Sequence, residues 1–232
     1  MKASGENFPR RTPKDLKSLD REELGMISEA AEKIGGWYGD VAKFLTAIYP
    51  YCGLRPSELR LAHLEDLDTK RWRMWVRHPK GEGKYARQRY APILPPARQA
   101  VLDYLIARER RLEELGSKNA IPLIPAKHQD GVAFYSESRF RAIKAKVEVA
   151  TPGVRFSLKT FRDTFCQMNI DLQPGNLTAV SVAMGHSTTK TTERHYGRMR
   201  SESALNALEK AWEGPKGISP LIESRNQLPG YM

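Results

Sequence analysis

Cysteine is scarce in this sequence, with only Cys52 and Cys166 among 232 residues. Two thiols so far apart match neither a zinc spacing nor a disulfide framework, and they read as reduced thiols of a cytosolic protein. Long apolar runs are missing too. No stretch of ~20 apolar residues occurs, so no membrane span is expected. The opening residues MKASGENFPRR carry no apolar core, so no secretory signal is expected either. There is no glycine-rich phosphate loop and no nucleophile elbow, and His63, His78, His128, His186 and His195 show no metal spacing. Acids gather only in ordinary helix-surface places such as Glu65, Asp66 and Asp68, which disfavours a metal-dependent nuclease. With 40% hydrophobic and 28% charged residues, the chain is neither disordered nor fibrous. At this length it needs no staple to bury a core.

Acids are also few relative to bases: 27 Asp and Glu against 38 Lys and Arg, a net charge of +11. The excess is concentrated. From Lys70 to Tyr90, eight cations (Lys70, Arg71, Arg73, Arg77, Lys80, Lys84, Arg87, Arg89) face the single acid Glu82, a local +7. From Ser138 to Arg162, seven (Arg139, Arg141, Lys144, Lys146, Arg155, Lys159, Arg162) face Glu148, a local +6. Together they exceed the charge of the whole chain, so the remainder is slightly acidic. A solvated surface would spread its charge more evenly, and two basic segments on a near-neutral background point to a polyanionic partner such as nucleic acid.

The chain reads mostly as helices. Residues 1–17, with Pro9 and Pro13, form a polar basic leader. Asp20 and Glu23 make a capping box, followed by Leu24, Ile27, Ala31 and Ile34 at helical spacing up to a stop at Gly35 and Gly36. Val41, Phe44, Leu45 and Ile48 mark a second helix ending near Gly53, and Pro56 opens a third that carries Leu59, Ala62 and His63. The period then changes. Trp72 to Arg77 alternates as a strand, the Pro-Lys-Gly-Glu-Gly-Lys run from Pro79 is a turn, and Arg87 to Leu94 returns as the partner strand. Helices resume from Pro96 to Leu115 and from Glu137 to Val147, and three shorter ones follow through Trp212. Trp37, Trp72, Trp75 and Trp212 are expected to pack in the core or on the sheet face. The expectation is a mainly α domain over 18–213 with one small antiparallel β-hairpin, and an extended tail over 214–232.

Four short runs carry chemistry. Tyr51 to Leu59 sets Arg55 just before a helix start, and Lys80 lies at the hairpin tip. Lys159 and Arg162 are three apart and share a helix face. The run from Met184 to Arg198 sets His186 at a helix start and Tyr196 ten residues later. Together these residues resemble the tyrosine recombinase (phage integrase) family, whose active site is shared with type IB topoisomerases. Its pattern is an Arg in G-L-R-x-x-E-L, a Lys on a β-hairpin, H/K-x-x-R, G-H-S with T-T, and a nucleophilic Tyr. These positions match Arg55, Lys80, Lys159, Arg162, His186 and Tyr196, in order, within a resemblance spanning roughly residues 14–213. Position 159 holds Lys where His is commoner, as in archaeal-type members. His195 occupies the offset where many members have the tyrosine. The resemblance does not extend to the helical domain that precedes the catalytic domain in the family.

The resemblance implies the DNA breaking-rejoining catalytic fold and a site-specific recombinase or integrase that works through a 3′-phosphotyrosyl intermediate. No metal and no cofactor are called for. A relaxing enzyme like topoisomerase IB, or a non-catalytic DNA-binding protein, are the alternatives on the same fold. The implied partners are double-stranded DNA and further copies of the chain, as a tetramer on paired sites, in the prokaryotic cytoplasm away from membranes. Ala204, Leu205, Leu208 and Trp212 lie at helical spacing after the tyrosine, and family members exchange such helices between subunits. Further DNA contacts are expected from Arg73, Arg77, Lys84, Arg87, Arg139, Lys144 and Lys146. Glu58 and Asp66 are expected to hold Arg55. Lys84 shares the turn with Lys80, but Pro79-Lys80-Gly81 matches the family's Lys-Gly tip. Tyr51, Tyr85, Tyr90 and Tyr135 are the other tyrosines from which the motif selects Tyr196.

The physical chemistry is consistent with these roles. A free tyrosine, with a pKa of ~10, is scarcely ionised at neutral pH and needs nearby cations or a base. Arginine is always charged and forks onto phosphate. Lysine among other cations is suited to protonate a leaving 5′-hydroxyl, while Lys159 or His186 would orient the phosphate or accept the tyrosine proton. One measurement follows from the charge pattern alone. Affinity for non-specific duplex should fall by orders of magnitude between low and physiological salt, because the two segments would neutralise ~6–10 phosphates. A log–log plot of affinity against salt that stays flat would show that they do not form the DNA surface.

Overall fold

Asp20 and Glu23 close the first helix as their spacing dictates. In the computed structural model, which describes residues 18–83, 86–117, 119–172 and 177–186, the Glu23 amide donates to Asp20 Oδ1 at 2.8 Å. The Asp20 amide donates to Glu23 Oε2 at 3.1 Å. Helix α1 runs Arg21–Glu32 and α2 runs Gly36–Cys52. The two glycines between them start α2 as well as ending α1, with Gly35 as the cap. Next come the short helix α3 (Pro56–Arg60) and a single 3₁₀ turn over Leu64–Asp66. The expected third helix therefore stops before His63.

A three-stranded antiparallel sheet follows, β1 (Leu67–Asp68), β2 (Arg73–Val76) and β3 (Arg89–Pro92), in that spatial order. Trp75 pairs with Tyr90 and Val76 with Arg89. The alternation foreseen for this hairpin turns Met74, Val76 and Ala91 into the core. Helix α4 (Pro95–Glu114) then packs its Tyr104 ring on Phe44 of α2, with centroids 4.0 Å apart. A second hairpin, β4 (Pro125–His128) with β5 (Gly131–Phe134), was not anticipated. Its signal was the Asp130-Gly131 pair at the turn, where Gly131 takes a φ of +117°. Helix α5 is Glu137–Val149 and α6 is Leu158–Leu172, with α7 at Leu177–Met184.

The described residues group into two compact units that divide between Phe165 and Cys166. In the first, Ile27, Phe44, Ile48, Tyr49, Leu54, Leu59, Met74, Ile93, Phe140 and Phe161 form one buried cluster. Trp37 and Trp72 pack against its edge, and Trp75 lies against Tyr90 on the outer sheet face. Cys52 and Cys166 are both buried and neither forms a disulfide, and burial pushes the Cys52 thiol far above its ordinary range. The second unit contributes α7, whose Val180, Ser181 and Met184 are buried. Among the described residues no helix is long and apolar enough to cross a membrane. The leader, Lys84, Tyr85, His195, Tyr196, the helix expected over Ala204 to Trp212 and the expected tail lie outside the described residues.

One buried carboxylate joins the turn before α3 to the sheet. Glu58 is 5% exposed. Its Oε2 accepts the Arg55 amide at 2.9 Å and its Oε1 accepts Arg55 Nη1 at 2.8 Å. Arg89, reaching in from β3, donates to the same two oxygens at 3.1 and 2.9 Å. Burial alone would raise this carboxyl, but the bonds to Arg89 and Arg55 outweigh it and hold the group below the usual carboxylate range. A depressed folded value means that the stability is present above the unfolded value, ~4.3, and is lost as pH falls through the folded one. Acid unfolding of the wild type should therefore include this step, and Glu58→Gln should remove it. The variant should also lose roughly 3–5 kcal/mol at neutral pH, because Arg89 is left buried without its acid. Chemical denaturation across pH 3–7 reads both effects, and a Gln variant as stable as wild type would rule out this role.

Candidate active site

The turn Gly53-Leu54-Arg55 is where the site begins. Gly53 ends α2 in the left-handed region, with φ of +67°. A Cβ there would lie 2.6 Å from the Phe165 ring, so only glycine fits between α2 and α6. Its carbonyl accepts a hydrogen bond from Arg162 Nη1, which ties α6 to the same turn. Thr164 Oγ1 accepts the Leu19 amide at 2.9 Å, fixing the chain before α1 to that helix. Two residues after Gly53, Arg55 extends from the N-cap position of α3 and is held by Glu58. Both arginines thereby share one wall.

That wall bounds a cleft of about 580 Å³ lined by Arg55, Lys80, Lys159 and Arg162, together with Arg60 and Lys144. Four of the six sequence-selected catalytic positions are thus neighbours, although they come from three separate stretches of chain. Lys80 is exposed in the turn between β2 and β3, where Gly81 and Gly83 both take positive φ. Lys159 and Arg162, three apart on α6, face the cleft together as their spacing requires. Arg162 is 5% exposed, whereas the Lys159 side chain is 66% exposed. His186 follows α7 in the second unit, and its amide donates to the Ser181 carbonyl at 3.0 Å. Tyr196 lies outside the described residues.

The cleft cations have acids close by. Lys159 Nζ lies 2.9 Å from Asp163 Oδ2, and Lys144 Nζ lies 2.5 Å from Glu148 Oε2. Arg141 pairs with Glu137, and these two also border the cleft. Arg60 Nη1 donates to the Tyr135 carbonyl at 3.2 Å. Hydrogen bonds from Lys144 and the Phe156 amide hold the Glu148 carboxyl below its usual range against the opposing effect of burial.

The seven expected DNA-contact residues scatter. Lys144 lines the cleft. Arg73 lies over the Tyr90 ring at 5.1 Å on the outer sheet face. Arg77 is committed to Asp66 and Glu65, both at 2.7 Å. Arg87 and Lys146 are exposed. Arg139 lies 5.6 Å over the Tyr135 ring and donates to the Lys127 carbonyl. Lys84 is outside the described residues.

One expectation needs correcting. Asp66 does not hold Arg55; from the 3₁₀ turn beside β2 it takes Arg77 and the His63 amide, at 2.9 Å for the latter. Sequence reasoning also overlooked Arg89 and Asp163. Arg89 shares a strand face with buried Ala91, and a cation on an inward face must meet an acid. Asp163 stands four residues after Lys159, the helical ion-pair spacing.

No tyrosine among the described residues lines the cleft. Tyr135 is 2% exposed, and burial pushes its phenol up to about 12. Tyr90 stacks on the outer sheet face, and Tyr51 packs at the core edge.

Solved structures share this fold. XerA recombinase superposes over 88% of this chain and 66% of its own, with a TM-score of 0.65 and 19% identity. XerH site-specific recombinase, solved bound to its palindromic difH substrate in a post-cleavage complex, covers 87% of this chain and 54% of its own, at TM-score 0.61 and 19% identity. The catalytic domain of bacteriophage HP1 integrase covers 82% and 94%, at TM-score 0.51 and 17% identity. This chain therefore spans 66% and 54% of the two recombinase chains, and identities this low speak to the fold alone. Among curated proteins, a sequence comparison finds no match. The sequence itself matches the phage integrase family over residues 17–202. That match, over most of the chain, shows that the chain belongs to the phage integrase family.

Proposed function

We propose that this chain, with residues 18–213 as its catalytic domain, is a site-specific DNA recombinase that cleaves and rejoins strands through a 3′-phosphotyrosyl link. The observation that carries the reading is the convergence of Arg55, Lys80, Lys159 and Arg162 on one cleft. Similar recombinases have been solved with their DNA substrates. The partners are double-stranded DNA and other copies of the chain, assembled as a tetramer on paired sites in the prokaryotic cytoplasm.

The chemistry runs as follows. Arg55 and Arg162 fork onto the non-bridging oxygens of the scissile phosphate and offset the charge that grows as phosphorus is attacked. Each such contact is worth ~3–4 kcal/mol of barrier. Tyr196 Oη forms the new bond to phosphorus and the P–O5′ bond breaks. Lys80 protonates the departing 5′-oxygen to give the 5′-hydroxyl, and the tyrosine proton passes to His186 or to solvent. The phosphotyrosyl ester conserves the bond, so a 5′-hydroxyl from either strand reverses the step and rejoins DNA. With no described tyrosine in the cleft, the nucleophile is assigned to Tyr196 on the motif. Lys144 and Arg60 extend the cationic wall along the DNA backbone.

Incubation with a nicked suicide duplex, followed by denaturing gel analysis and mapping of the linked peptide, tests the core of this reading. Tyr196→Phe should abolish the covalent adduct while leaving DNA affinity intact, since one hydroxyl is lost; His195→Ala should retain the adduct. An adduct surviving in the Phe variant would place the nucleophile elsewhere.

Lys80 is tested through the leaving group. Lys80→Ala should slow cleavage of an ordinary phosphodiester by roughly 10²-fold or more. A 5′-bridging phosphorothiolate, whose sulfur leaves without protonation, should react in the variant at close to the wild-type rate. Equal slowing of both substrates would remove Lys80 from the acid role.

A further inference from the structure

We propose that the outer face of the three-stranded sheet is a second nucleic-acid surface, which takes an unpaired DNA strand by stacking its bases on Tyr90 and Arg73. The pleat that turns Met74, Val76 and Ala91 inward sends Arg73, Trp75 and Tyr90 to the opposite side. Trp75 and Tyr90 face each other across β2 and β3, with ring centroids 4.8 Å apart. Arg73 lays its guanidinium over the Tyr90 ring at 5.1 Å. Even so, Tyr90 remains 54% exposed. Trp75 and Tyr90 also line a second cleft of about 550 Å³, bordered by Lys70 and Arg77. None of these side chains bounds the cleft that holds Arg55 and Arg162.

A cross-strand aromatic pair steadies a hairpin by itself. It does not call for a guanidinium stacked on an exposed ring beside an open cleft. Phenol and guanidinium planes are both surfaces on which a nucleobase stacks, whatever its identity. In a duplex the base faces are covered by their neighbours; an unpaired strand presents them. The acids at this face are engaged by the protein. Glu65 and Asp66 each lie 2.7 Å from Arg77. Asp68 accepts the Lys70 and Arg71 amides at 3.0 and 2.9 Å and pairs with the Arg71 side chain. The charge that the phosphates of a stacked strand meet is therefore that of Lys70 and Arg73. A peptide offers few flat faces to such a stack, so the chemistry favours a base.

The platform and Lys80 belong to one hairpin, since Lys80 lies in the turn between β2 and β3. In the proposed reaction a cleaved strand leaves its old partner before a 5′-hydroxyl rejoins it to another, and a stacking face on that hairpin would hold it while it is unpaired. This use of the face rests on the reading of the catalytic cleft given above; the binding itself does not.

The test uses the full chain and a short fluorescent oligothymidylate, with binding read by anisotropy while saturating unlabelled duplex occupies the catalytic cleft. Tyr90→Ala should weaken oligothymidylate binding roughly five- to hundredfold, the effect of losing one stacked base. Tyr90→Phe, which keeps the ring, should bind as the wild type does. Duplex affinity and single-turnover cleavage of the nicked suicide duplex should be unchanged in both variants. Equal binding by wild type and Tyr90→Ala overturns the proposal and leaves this face to a protein partner. Displacement of the oligothymidylate by duplex also overturns it, because the strand then lies in the catalytic cleft. Should the Ala variant fail to fold, Tyr90→Thr, which suits a strand, replaces it with the same outcomes. Adduct formation at Tyr196 is scored alongside. A wild type that forms no tyrosine-linked adduct defeats the catalytic reading, whereas a normal adduct with binding indifferent to Tyr90 defeats only the stacking face.

Discussion

A carboxylate buried beneath two guanidinium groups is the constraint on which the cleft depends. Glu58 binds Arg55 through both its amide and its side chain, and binds Arg89 from the sheet. The turn after α2, the start of α3 and strand β3 are thereby held at one point. None of the three elements is long: α3 has five residues and β3 has four. Elements this short contribute little order of their own, so tertiary bonds must supply it. The Gly53 carbonyl extends the same junction to α6 through Arg162. In the proposed reaction, a phosphate arriving at Arg55 and Arg162 would meet groups that are already oriented, which is what transition-state stabilisation by fixed charge requires.

The cleft also shows how a chain tolerates so many like charges side by side. Three cations on its helical walls have an acid one turn away on their own helix: Asp163 for Lys159, Glu148 for Lys144 and Glu137 for Arg141. Local pairing limits repulsion in the unliganded protein and keeps long side chains from collapsing onto their neighbours. Lys80 differs. It stands exposed on a turn with two left-handed glycines, a place suited to the leaving-group role proposed for it.

Much was legible from the chain alone because it depended on local spacing. The capping box at Asp20, the alternating strand around Met74, the glycine at the end of α2 and the three-residue step from Lys159 to Arg162 are each decided within a few residues. The motif order added Arg55 and Lys80. The hairpin of β4 and β5 escaped notice because its four-residue strands carry little alternation, so that only the Asp130-Gly131 turn marked it. Asp66 was misassigned for a related reason. Sequence spacing does not reveal which strand lies opposite an acid, and β2 brought Arg77 to it before any other cation.

The sequence by itself determined the residue chemistry: cations of the right kind, a lysine at the hairpin tip, and an Arg-x-x-Glu pairing closed within a single turn of helix. Local hydrogen-bond geometry decides such features, and local geometry is written in neighbouring residues. Only the tertiary structure decided which cations face the cleft and which are consumed elsewhere. Arg89 and Arg77 belong to the same basic segment as Lys80, yet the pleat turns Arg89 inward to Glu58 and the sheet register delivers Arg77 to Asp66, while the turn leaves Lys80 in the cleft. The charge of each is the same; its partner depends on burial and on strand pairing across dozens of residues, and those arise only when the chain packs.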